Sequence, residues 1–511
     1  MRCWPSVRLT CRSTTPFCRS QVGSILRDAG VRAVIVSNRL QYKKLVAAGA
    51  IPTLEFVGVL DDCELDNAVN LAEIFVHASD LERADATFDA LLRQTRPEDL
   101  ATIVYTSGTT GDPKGVRLTH RNLTADLRYS TEGLSMGEGD RTISFLPLSH
   151  SLARHLGYAI YGHGGRIAYL TKFDDLKGAM QTVRPQIFLA VPRVYEKVRQ
   201  STEAHAKGIR KRILHWALLQ GRRHRQELME GRTPSAPGWR LANRLVYSKL
   251  RAAFAGQAKL WVSGGVPLGM DAAKWFLDMG IRIFEGYGLT ETSPLVSRNT
   301  FDAYRIGTVS PVIPNLELRV AEDGEIQVRG ETVFAGYWLK EDLTRAEFTE
   351  DGWFKTGDIG DYKDGFISIT DRKKELIKTS SGKYIAPQPI EGKLKADELV
   401  GNAAVIGDAR KFAAVLISPD LGALRRWAEE HGVMARDDEE LVRDPRVKKH
   451  YETLVRRVNA QLQDHERLKK IGVLAEEWSI EGGELTPSMK LMRRVILDRC
   501  KERIETLYGG E

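Results

Sequence analysis

The sequence predicts an α/β protein of at least two domains. At 511 residues the chain is longer than one hydrophobic core usually organises. A helical pattern over Gln21–Ala29 is followed by Gly30 and the β-branched run Val31–Val36, and the same order of helix, glycine and strand returns over Leu268–Phe284. Such alternation is typical of helices that pack on parallel strands.

From about residue 322 the pattern changes to short strands with tight-turn signals. Asp323-Gly324 precedes one of these strands, and Asp364-Gly365 separates two others. Asp-Gly pairs favour two-residue hairpin turns because both positions tolerate positive φ. Residues 322–370 are therefore expected to form a β-rich subdomain.

A polar, basic stretch, Asp371–Glu375, follows the last of these strands and predicts a connector. After it, residues 402–419 are apolar and strand-like, and residues 421–463 have the charged pattern of amphipathic helices. We therefore expect a large domain over residues 21–370 and a small α+β domain over residues 371–511.

The composition excludes several classes of protein. With 42% hydrophobic and 28% charged residues the chain is neither disordered nor collagen-like. The five cysteines show no spacing for a disulfide framework or a zinc site, and they are Cys3, Cys11, Cys18, Cys63 and Cys500. The sequence has no apolar run of about 18 residues and no signal-peptide pattern, so a cytoplasmic location is expected.

The excess of positive charge is concentrated in one segment. Between Arg193 and Arg251 the chain has 15 Lys or Arg against 4 Asp or Glu, whereas the whole chain has a net charge of +8. This segment could be a solvated helical face, or a surface that meets anionic lipid headgroups or nucleotides. It carries no nucleic-acid recognition motif, so no nucleic-acid partner is expected.

The strongest local signal is the segment Thr102–Gly115. An apolar strand leads into a loop of hydroxyl residues and glycines, whose N–H groups can approach phosphate oxygens, and Lys114 supplies a mobile cation. The order of residues differs from that of a Walker A loop. The alternative is a flexible surface turn.

This loop resembles the signature of the adenylate-forming superfamily, which includes acyl-CoA synthetases, luciferases and peptide-synthetase adenylation domains. Further segments match the family's adenine and acyl-pocket, ribose, hinge and catalytic-lysine motifs in the expected order. These segments are Ser263–Gly265, Phe284–Glu291, Lys355–Asp358, Asp371–Lys373 and Thr486–Lys490. The resemblance implies the adenylate-forming fold, with a mobile C-terminal domain that pivots at Asp371.

The resemblance also implies the residues that bind the nucleotide and CoA. They are Thr106, Ser107, Gly108, Thr109, Thr110, Gly111, Lys114, Gly264, Gly265, Glu285, Gly286, Tyr287, Gly288, Thr290, Asp358, Arg372 and Gly382. Among them, Asp358 could accept hydrogen bonds from the ribose hydroxyls, and Arg372 could donate to the same ribose. The alternative for Asp358 is an ordinary aspartate in a β-turn.

Catalytic and metal-binding roles follow from the same resemblance. Acyl-adenylate formation brings a carboxylate to the α-phosphorus, so cations and N–H donors are needed there. Lys490 would reach between the two, Thr290 and His150 would lie beside the reacting groups, and Glu291 would bind Mg²⁺. The alternatives are that Lys490 is an ordinary surface lysine, that His150 is a core histidine and that Glu291 is an acid at the start of a helix. Long-chain members often have an acid where this chain has Ala153.

The predicted function is ATP-dependent activation of a long-chain fatty acid and its transfer to CoA. The basic helical insert over residues 193–262 is expected to meet an anionic membrane surface, at the cytoplasmic face, where the lipid substrate partitions. Alternatives are a ligase for another acid or a carrier protein, a truncated non-catalytic homologue that binds nucleotide or acyl groups, and a polyanion-binding protein.

Residues 1–20 match nothing in this pattern. They contain four Arg, three Cys and no acid. A start-site or frame error in the coding sequence, or an Arg/Ser-rich transit-like segment, would explain them. On either explanation we expect the first part of the large domain to be missing.

Overall fold

A computed structural model gives the fold. It describes residues 19–61, 65, 67–71, 81–106, 113–254, 258–380, 383–479, 481–486 and 490–509. The predictions for Ser107–Gly111 and for Gly382 lie outside these residues. Across the described residues, no helix is both long and apolar enough to cross a bilayer.

The chain begins with a small parallel sheet and its helices. The strands are β1 (Ala33–Val36), β2 (Phe56–Val59) and β3 (Val69–Asn70), in that order, and the helices are α1 (Arg19–Asp28), α2 (Arg39–Ala47) and α3 (Leu81–Gln94). Apolar residues of α1, β1 and β2 form one buried cluster. The predicted helix and strand at residues 21–36 are confirmed.

The predicted phosphate loop joins two strands of an antiparallel hairpin. Strand β4 (Leu100–Thr106) pairs with β5 (Lys114–Thr119), and Thr106 lies opposite Lys114. Helix α4 (His120–Thr131) follows directly, and the Thr119 side chain caps it by accepting a hydrogen bond from the N–H of Asn122. The two strands are antiparallel because the loop is too short for the crossover connection that a parallel pair needs.

Two sheets form the centre of the large region. One pairs β6 (Arg141–Ser144) with β7 (Arg166–Tyr169), and the other has the order β11 (Ser297–Arg298), β10 (Ile283–Tyr287), β9 (Leu260–Gly264), β8 (Ile187–Ala190). Strands β6 to β10 pair in parallel, as predicted. Strand β10 ends with Gly286 and Tyr287 of the predicted nucleotide-binding motif. Helices α5 (Ser151–Gly162) and α6 (Leu176–Val183) connect these strands.

The basic insert is helical, as predicted. Its helices are α7 (Pro192–His205), α8 (Ile209–Arg223), α9 (Arg225–Met229), α10 (Pro237–Ala242) and α11 (Ser248–Ala253), followed by α12 (Met270–Asp278). Trp239 and Tyr247 of the insert are buried in one cluster with Phe188 of β8 and Phe276 of α12. The insert is therefore part of the core of the large region, and only its outer face is solvated.

The predicted β-rich subdomain is an antiparallel sheet. Its order is β12 (Leu316–Val320), β13 (Glu325–Gly330), β14 (Phe354–Lys363), β15 (Phe366–Arg372), and α13 (Glu341–Ala346) lies between β13 and β14 in sequence. Asp364 and Gly365 have φ of 54° and 78°, as the two-residue hairpin turn requires.

The C-terminal region is α+β and has its own core. Its strands are β16 (Ile377–Lys378), β17 (Tyr384–Ile385), β18 (Val400–Ile406), β19 (Ala413–Pro419) and β20 (Leu468–Val473). Its helices are α14 (Pro387–Lys395), α15 (Leu421–Glu430), α16 (Asp438–Arg443), α17 (Pro445–Asn459), α18 (Arg493–Arg499) and α19 (Lys501–Tyr508). The two hydrophobic clusters here contain only residues that follow Asp371.

Candidate active site

Asp358 is the centre of a buried polar cluster. Its Oδ2 accepts a hydrogen bond from the hydroxyl of Tyr287 at 2.8 Å, and its Oδ1 accepts one from Nε of Arg372 at 3.1 Å. Burial keeps the pKa of Tyr287 above its ordinary value, so the phenol remains a donor. Each carboxylate oxygen keeps a further lone pair, which suits a ligand hydroxyl.

Strand geometry explains why these residues meet. Asp358 on β14 and Arg372 on β15 are directly opposed in the antiparallel ladder, so their side chains lie on one face. Tyr287 ends β10 of the neighbouring sheet. The predicted ribose and adenine motifs thus meet where the two sheets approach each other.

Lys490 lies beside this cluster. Burial and the positive charge of Arg372 lower its pKa, whereas the carboxylates of Asp358 and Glu375 raise it. A hydrogen bond from the N–H of Lys490 to Oγ1 of Thr486, at 3.0 Å, closes the loop that carries it. The lysine is therefore held inside the site, although it comes from the far end of the chain.

His150 faces Lys490 from the large region. Burial, and then the positive charge of Lys490, lower the pKa of His150 to about 4. The imidazole is therefore neutral near pH 7 and adds no positive charge beside the ammonium. His150 immediately precedes α5, and Oγ of Ser151 in that helix lies 3.5 Å from Oγ1 of Thr290. Thr290 and His150 are thereby placed in the same part of the site.

A second polar cluster surrounds Lys114. Its Nζ lies 3.6 Å from Oε1 of Glu347 and 5.0 Å from the centre of the Tyr337 ring. The hydroxyl of Tyr337 donates to Oε1 of Glu291 at 3.0 Å. Burial raises the pKa of Glu291, and the charge of Glu347 raises it further while Arg372 lowers it. Arg372 thus links this cluster to the one around Asp358.

The donor set around Glu291 fits Mg²⁺. Carboxylate oxygens are hard ligands, and a magnesium ion that also binds phosphates needs only one or two of them from the protein. Glu291, beside the hydroxyl of Tyr337, and Glu347, beside Lys114, both supply such oxygens. Within the described residues there is no group of three or more His, Cys, Asp or Glu side chains that could hold a metal ion without phosphates.

Glu285 differs from the other predicted nucleotide ligands. Its Oε2 accepts a hydrogen bond from the N–H of Leu268 at 2.8 Å, and the side chain is buried. It therefore fixes the segment that follows Gly264 and Gly265 rather than facing the Asp358 cluster. Burial raises the pKa of its carboxyl to about 7.

The turn after β10 requires glycine at position 288. A Cβ on Gly288 would lie 1.8 Å from the carbonyl oxygen of Pro294, so no side chain fits. This close approach fixes the path of the chain from Tyr287 to Thr290 and Glu291. The glycines of the motif therefore position the residues around them.

Sequence reasoning missed several residues that support the site. Nη2 of Arg493 lies 2.8 Å from both carboxylate oxygens of Glu391, and its Nε lies 3.6 Å from Glu375. Tyr337 and Glu347 were missed as well. The position of Arg493, three residues after the predicted catalytic lysine, was a signal that it could support the site. Its partners Glu391 and Glu375 come from a distant part of the sequence and carry no local pattern.

Comparisons with known proteins identify the family of the chain. Residues 17–338 match the family model of the AMP-binding enzymes, and residues 374–511 match that of the AMP-binding enzyme C-terminal domain. The chain is 37% identical over 436 residues to long-chain-fatty-acid–CoA ligase FadD15 of Mycobacterium tuberculosis, covering 83% of this chain and 72% of that protein. It is 30% identical over 524 residues to long-chain-fatty-acid–CoA ligase ACSBG2 of Xenopus laevis, covering 95% and 71%.

Solved structures show the same fold. The adenylation domain of a carboxylate reductase from Mycobacterium chelonae superposes with a TM-score of 0.69 at 22% identity, covering 96% of this chain and 75% of that one. ATP-bound MatB from Rhodopseudomonas palustris superposes with a TM-score of 0.66 at 23% identity, covering 95% and 82%. The motifs, the fold and the relatives agree, and the chain therefore belongs to the AMP-binding enzymes, the adenylate-forming family that includes the acyl-CoA synthetases.

Proposed function

We propose that this protein joins a long-chain fatty acid to CoA in two steps. The fatty acid first reacts with ATP to give acyl-AMP and pyrophosphate, and CoA then takes the acyl group and releases AMP. The observation that carries this proposal is the position of Lys490, whose charge acts on both Asp358 and His150. A cation near both a carboxylate that can bind ribose hydroxyls and a neutral imidazole suits a reaction in which a fatty-acid carboxylate attacks a nucleotide phosphate.

In the first step, the ammonium of Lys490 would offset the negative charge that develops as the carboxylate oxygen attacks the α-phosphorus. Burial of the lysine strengthens this effect, because water screens the charge less there. The neutral ring of His150 would lie beside the acyl carboxylate without competing for the phosphate. Lys490 would thus supply the positive charge, and His150 would help to position the acyl carboxylate.

Nucleotide binding would use both polar clusters. Asp358 would accept hydrogen bonds from ribose hydroxyls while Tyr287 and Arg372 hold it in place. Lys114 would turn from Glu347 towards the outer phosphates, and Glu291 would bind Mg²⁺. The bound metal would neutralise phosphate charge.

The second step requires Lys490 to leave and CoA to enter. The C-terminal region would pivot at Asp371, where burial raises the carboxyl pKa to about 7 and Oδ2 accepts a hydrogen bond from the N–H of Gln388 at 3.1 Å. Gly382, which the family resemblance implies for ligand binding, follows this pivot in the sequence. We propose residues 21–370 and 371–511 as the two moving parts.

The long-chain substrate is supported by the relatives. FadD15 and ACSBG2 are both described as long-chain-fatty-acid–CoA ligases. A panel of acids from acetate to oleate, assayed for AMP and acyl-CoA, tests the assignment. We expect turnover to rise with chain length, Lys490→Ala to reduce it about 10²–10³-fold, and Lys469→Ala, on the exposed edge of β20, to retain it.

Other outcomes of the panel would identify the alternatives. Preference for a short or aromatic acid would indicate a ligase for another substrate. AMP without acyl-CoA would indicate transfer to a carrier protein. Nucleotide binding without turnover would indicate a non-catalytic homologue. Each of these results would contradict the long-chain assignment.

We further propose that the start of α8 meets an anionic membrane. Ile209 is 67% exposed and Ile213 is 38% exposed, and between and before them lie exposed basic residues, Lys207, Arg210, Lys211 and Arg212. Apolar side chains flanked by cations suit a surface of acidic lipid headgroups. Sedimentation with phosphatidylserine and phosphatidylcholine vesicles tests this. Binding without preference for the anionic lipid, or unchanged by Arg210→Glu and Lys211→Glu, would contradict it.

A further inference from the structure

One face of α7 carries charged residues towards the C-terminal region. Arg193, Glu196 and Arg199 are three residues apart, so their side chains lie on one side of the helix. Nη1 of Arg193 lies 3.9 Å from Oε2 of Glu196. All three side chains are partly buried although they are charged. A charged face that is covered indicates a contact with another part of the chain.

The contact is the end of α14. Nη2 of Arg199 donates to the carbonyl oxygen of Ala396 at 3.1 Å, and Ala396 is the residue that caps α14. Carbonyl groups at the C-terminus of a helix lack partners within it and carry partial negative charge, so a guanidinium is favourable there. Lys395 directly precedes Ala396 and so lies near the same face; burial lowers its pKa, and the charge of Glu196 raises it while that of Arg193 lowers it.

The other end of α14 lies at the proposed pivot. The N–H of Gln388, in the first turn, donates to Oδ2 of Asp371 at 3.1 Å. The helix has nine residues and spans about 13 Å. Its two ends are therefore held by Asp371 and by α7, and a rotation at Asp371 would pull the far end away from Arg199.

The middle of α14 is tied to the catalytic loop. Both carboxylate oxygens of Glu391 lie 2.8 Å from Nη2 of Arg493, which follows Lys490 by three residues. The position of Lys490 thus depends on the position of α14. Contacts at α7 therefore influence the position of Lys490 through α14 and the ion pair between Glu391 and Arg493.

We propose that Arg199 and Glu196 are positioning residues that hold α14, and with it Lys490, in the orientation for adenylate formation. Release of Ala396 from Arg199 then accompanies the change to the CoA step. The inference rests on the proposed two-step function. A single charge-assisted hydrogen bond is strong enough to bias the two orientations and weak enough to open in each cycle.

The test separates the two half-reactions. Exchange of pyrophosphate into ATP in the presence of fatty acid reports the first, and thioester formation from synthetic acyl-AMP and CoA reports the second. We expect Arg199→Ala to slow exchange about tenfold, the equivalent of one charge-assisted hydrogen bond. Thioester formation should stay within about twofold of the wild type, since it does not use this orientation. Arg199→Lys, which keeps a donor, should recover most of the exchange.

Controls separate positioning from folding. Arg456→Ala removes an exposed arginine of α17 and should leave both half-reactions unchanged. If Arg199→Ala does not fold, the charge-reversal variants Glu196→Lys and Lys395→Glu provide the test. Each single variant should lose pyrophosphate exchange, and the double variant should recover it. The proposal would be overturned if Arg199→Ala slowed both half-reactions equally or left both unchanged, as Arg456→Ala should. It would also be overturned if the double variant did not recover exchange. A wild-type protein without exchange would contradict the proposed function itself.

Discussion

Arg493 and Glu391 form a buried ion pair in which Nη2 of Arg493 lies 2.8 Å from both carboxylate oxygens. The two side chains are 18% and 6% exposed. Oε1 of Glu391 also accepts a hydrogen bond from the N–H of Val405 at 2.7 Å. The pair therefore joins the start of α18 to α14 and β18. Because Arg493 follows Lys490 by only three residues, the pair also holds the loop of Lys490 in place.

Removing one member of this pair should lower the free energy of unfolding more than removing both charges. Arg493→Met leaves the carboxylate of Glu391 buried without its main partner, and we expect a loss of about 3–5 kcal/mol in the free energy of unfolding. The double variant Arg493→Met/Glu391→Gln keeps an acceptor for Val405 and should lose less. Urea unfolding measures both. Additive losses would show that the two side chains are not energetically coupled.

Lys490→Ala should impair only the first half-reaction. The lysine is the half-buried cation expected beside the α-phosphate, so its loss should slow acyl-AMP formation about 10²–10³-fold. Thioester formation from supplied acyl-AMP should persist, because the lysine has left the site by then. Single-turnover assays of each step measure this. Equal loss in both steps would contradict the assigned role.

Asp358→Ala should remove discrimination between ATP and 2′-deoxy-ATP. The wild-type carboxylate is expected to accept a hydrogen bond from the ribose 2′-hydroxyl, and loss of a hydrogen bond to a charged group is worth about 1.5–3 kcal/mol. The ratio of kcat/KM for the two nucleotides should therefore be large in the wild type and close to one in the variant. Unchanged discrimination would place the ribose elsewhere.

Glu285→Gln should change the pH dependence of stability. Burial raises the pKa of Glu285 from 4.5 to about 7, so the folded protein retains a proton that the unfolded chain releases. This contribution to stability is complete below pH 4.5 and is lost as the pH rises through 7. Glutamine does not ionise, so the melting temperature of the variant relative to the wild type should rise between pH 5 and pH 8. A constant difference would contradict a raised pKa.

Much of the fold could be predicted because its signals are local. The Asp364-Gly365 turn, the alternation of helix and strand around Gly280, and the loop before Lys114 each depend on a few adjacent residues. The antiparallel pairing of the strands around the phosphate loop was not predicted. An apolar strand before a glycine-rich loop suits a parallel crossover as well as a hairpin, and only the pairing of Thr106 with Lys114 distinguishes them.

The site was predicted as a set of motifs, but the contacts among them were not. Asp358 and Arg372 were assigned to one ribose, and their opposition in β14 and β15 follows from the hairpin register. Glu347 and Glu391 carry no motif, because their partners Lys114 and Arg493 are distant in sequence. Such pairs depend on how separate elements pack, which local pattern does not encode.

In the proposed mechanism, Lys490 closes over a nucleotide held by Asp358 so that a fatty acid attacks the α-phosphorus. Chromatography of the nucleotide products from ATP, oleate and CoA distinguishes this chemistry from its alternatives. We expect AMP and pyrophosphate in equal amounts with oleoyl-CoA, all dependent on Lys490. Formation of ADP and phosphate in place of AMP would contradict it.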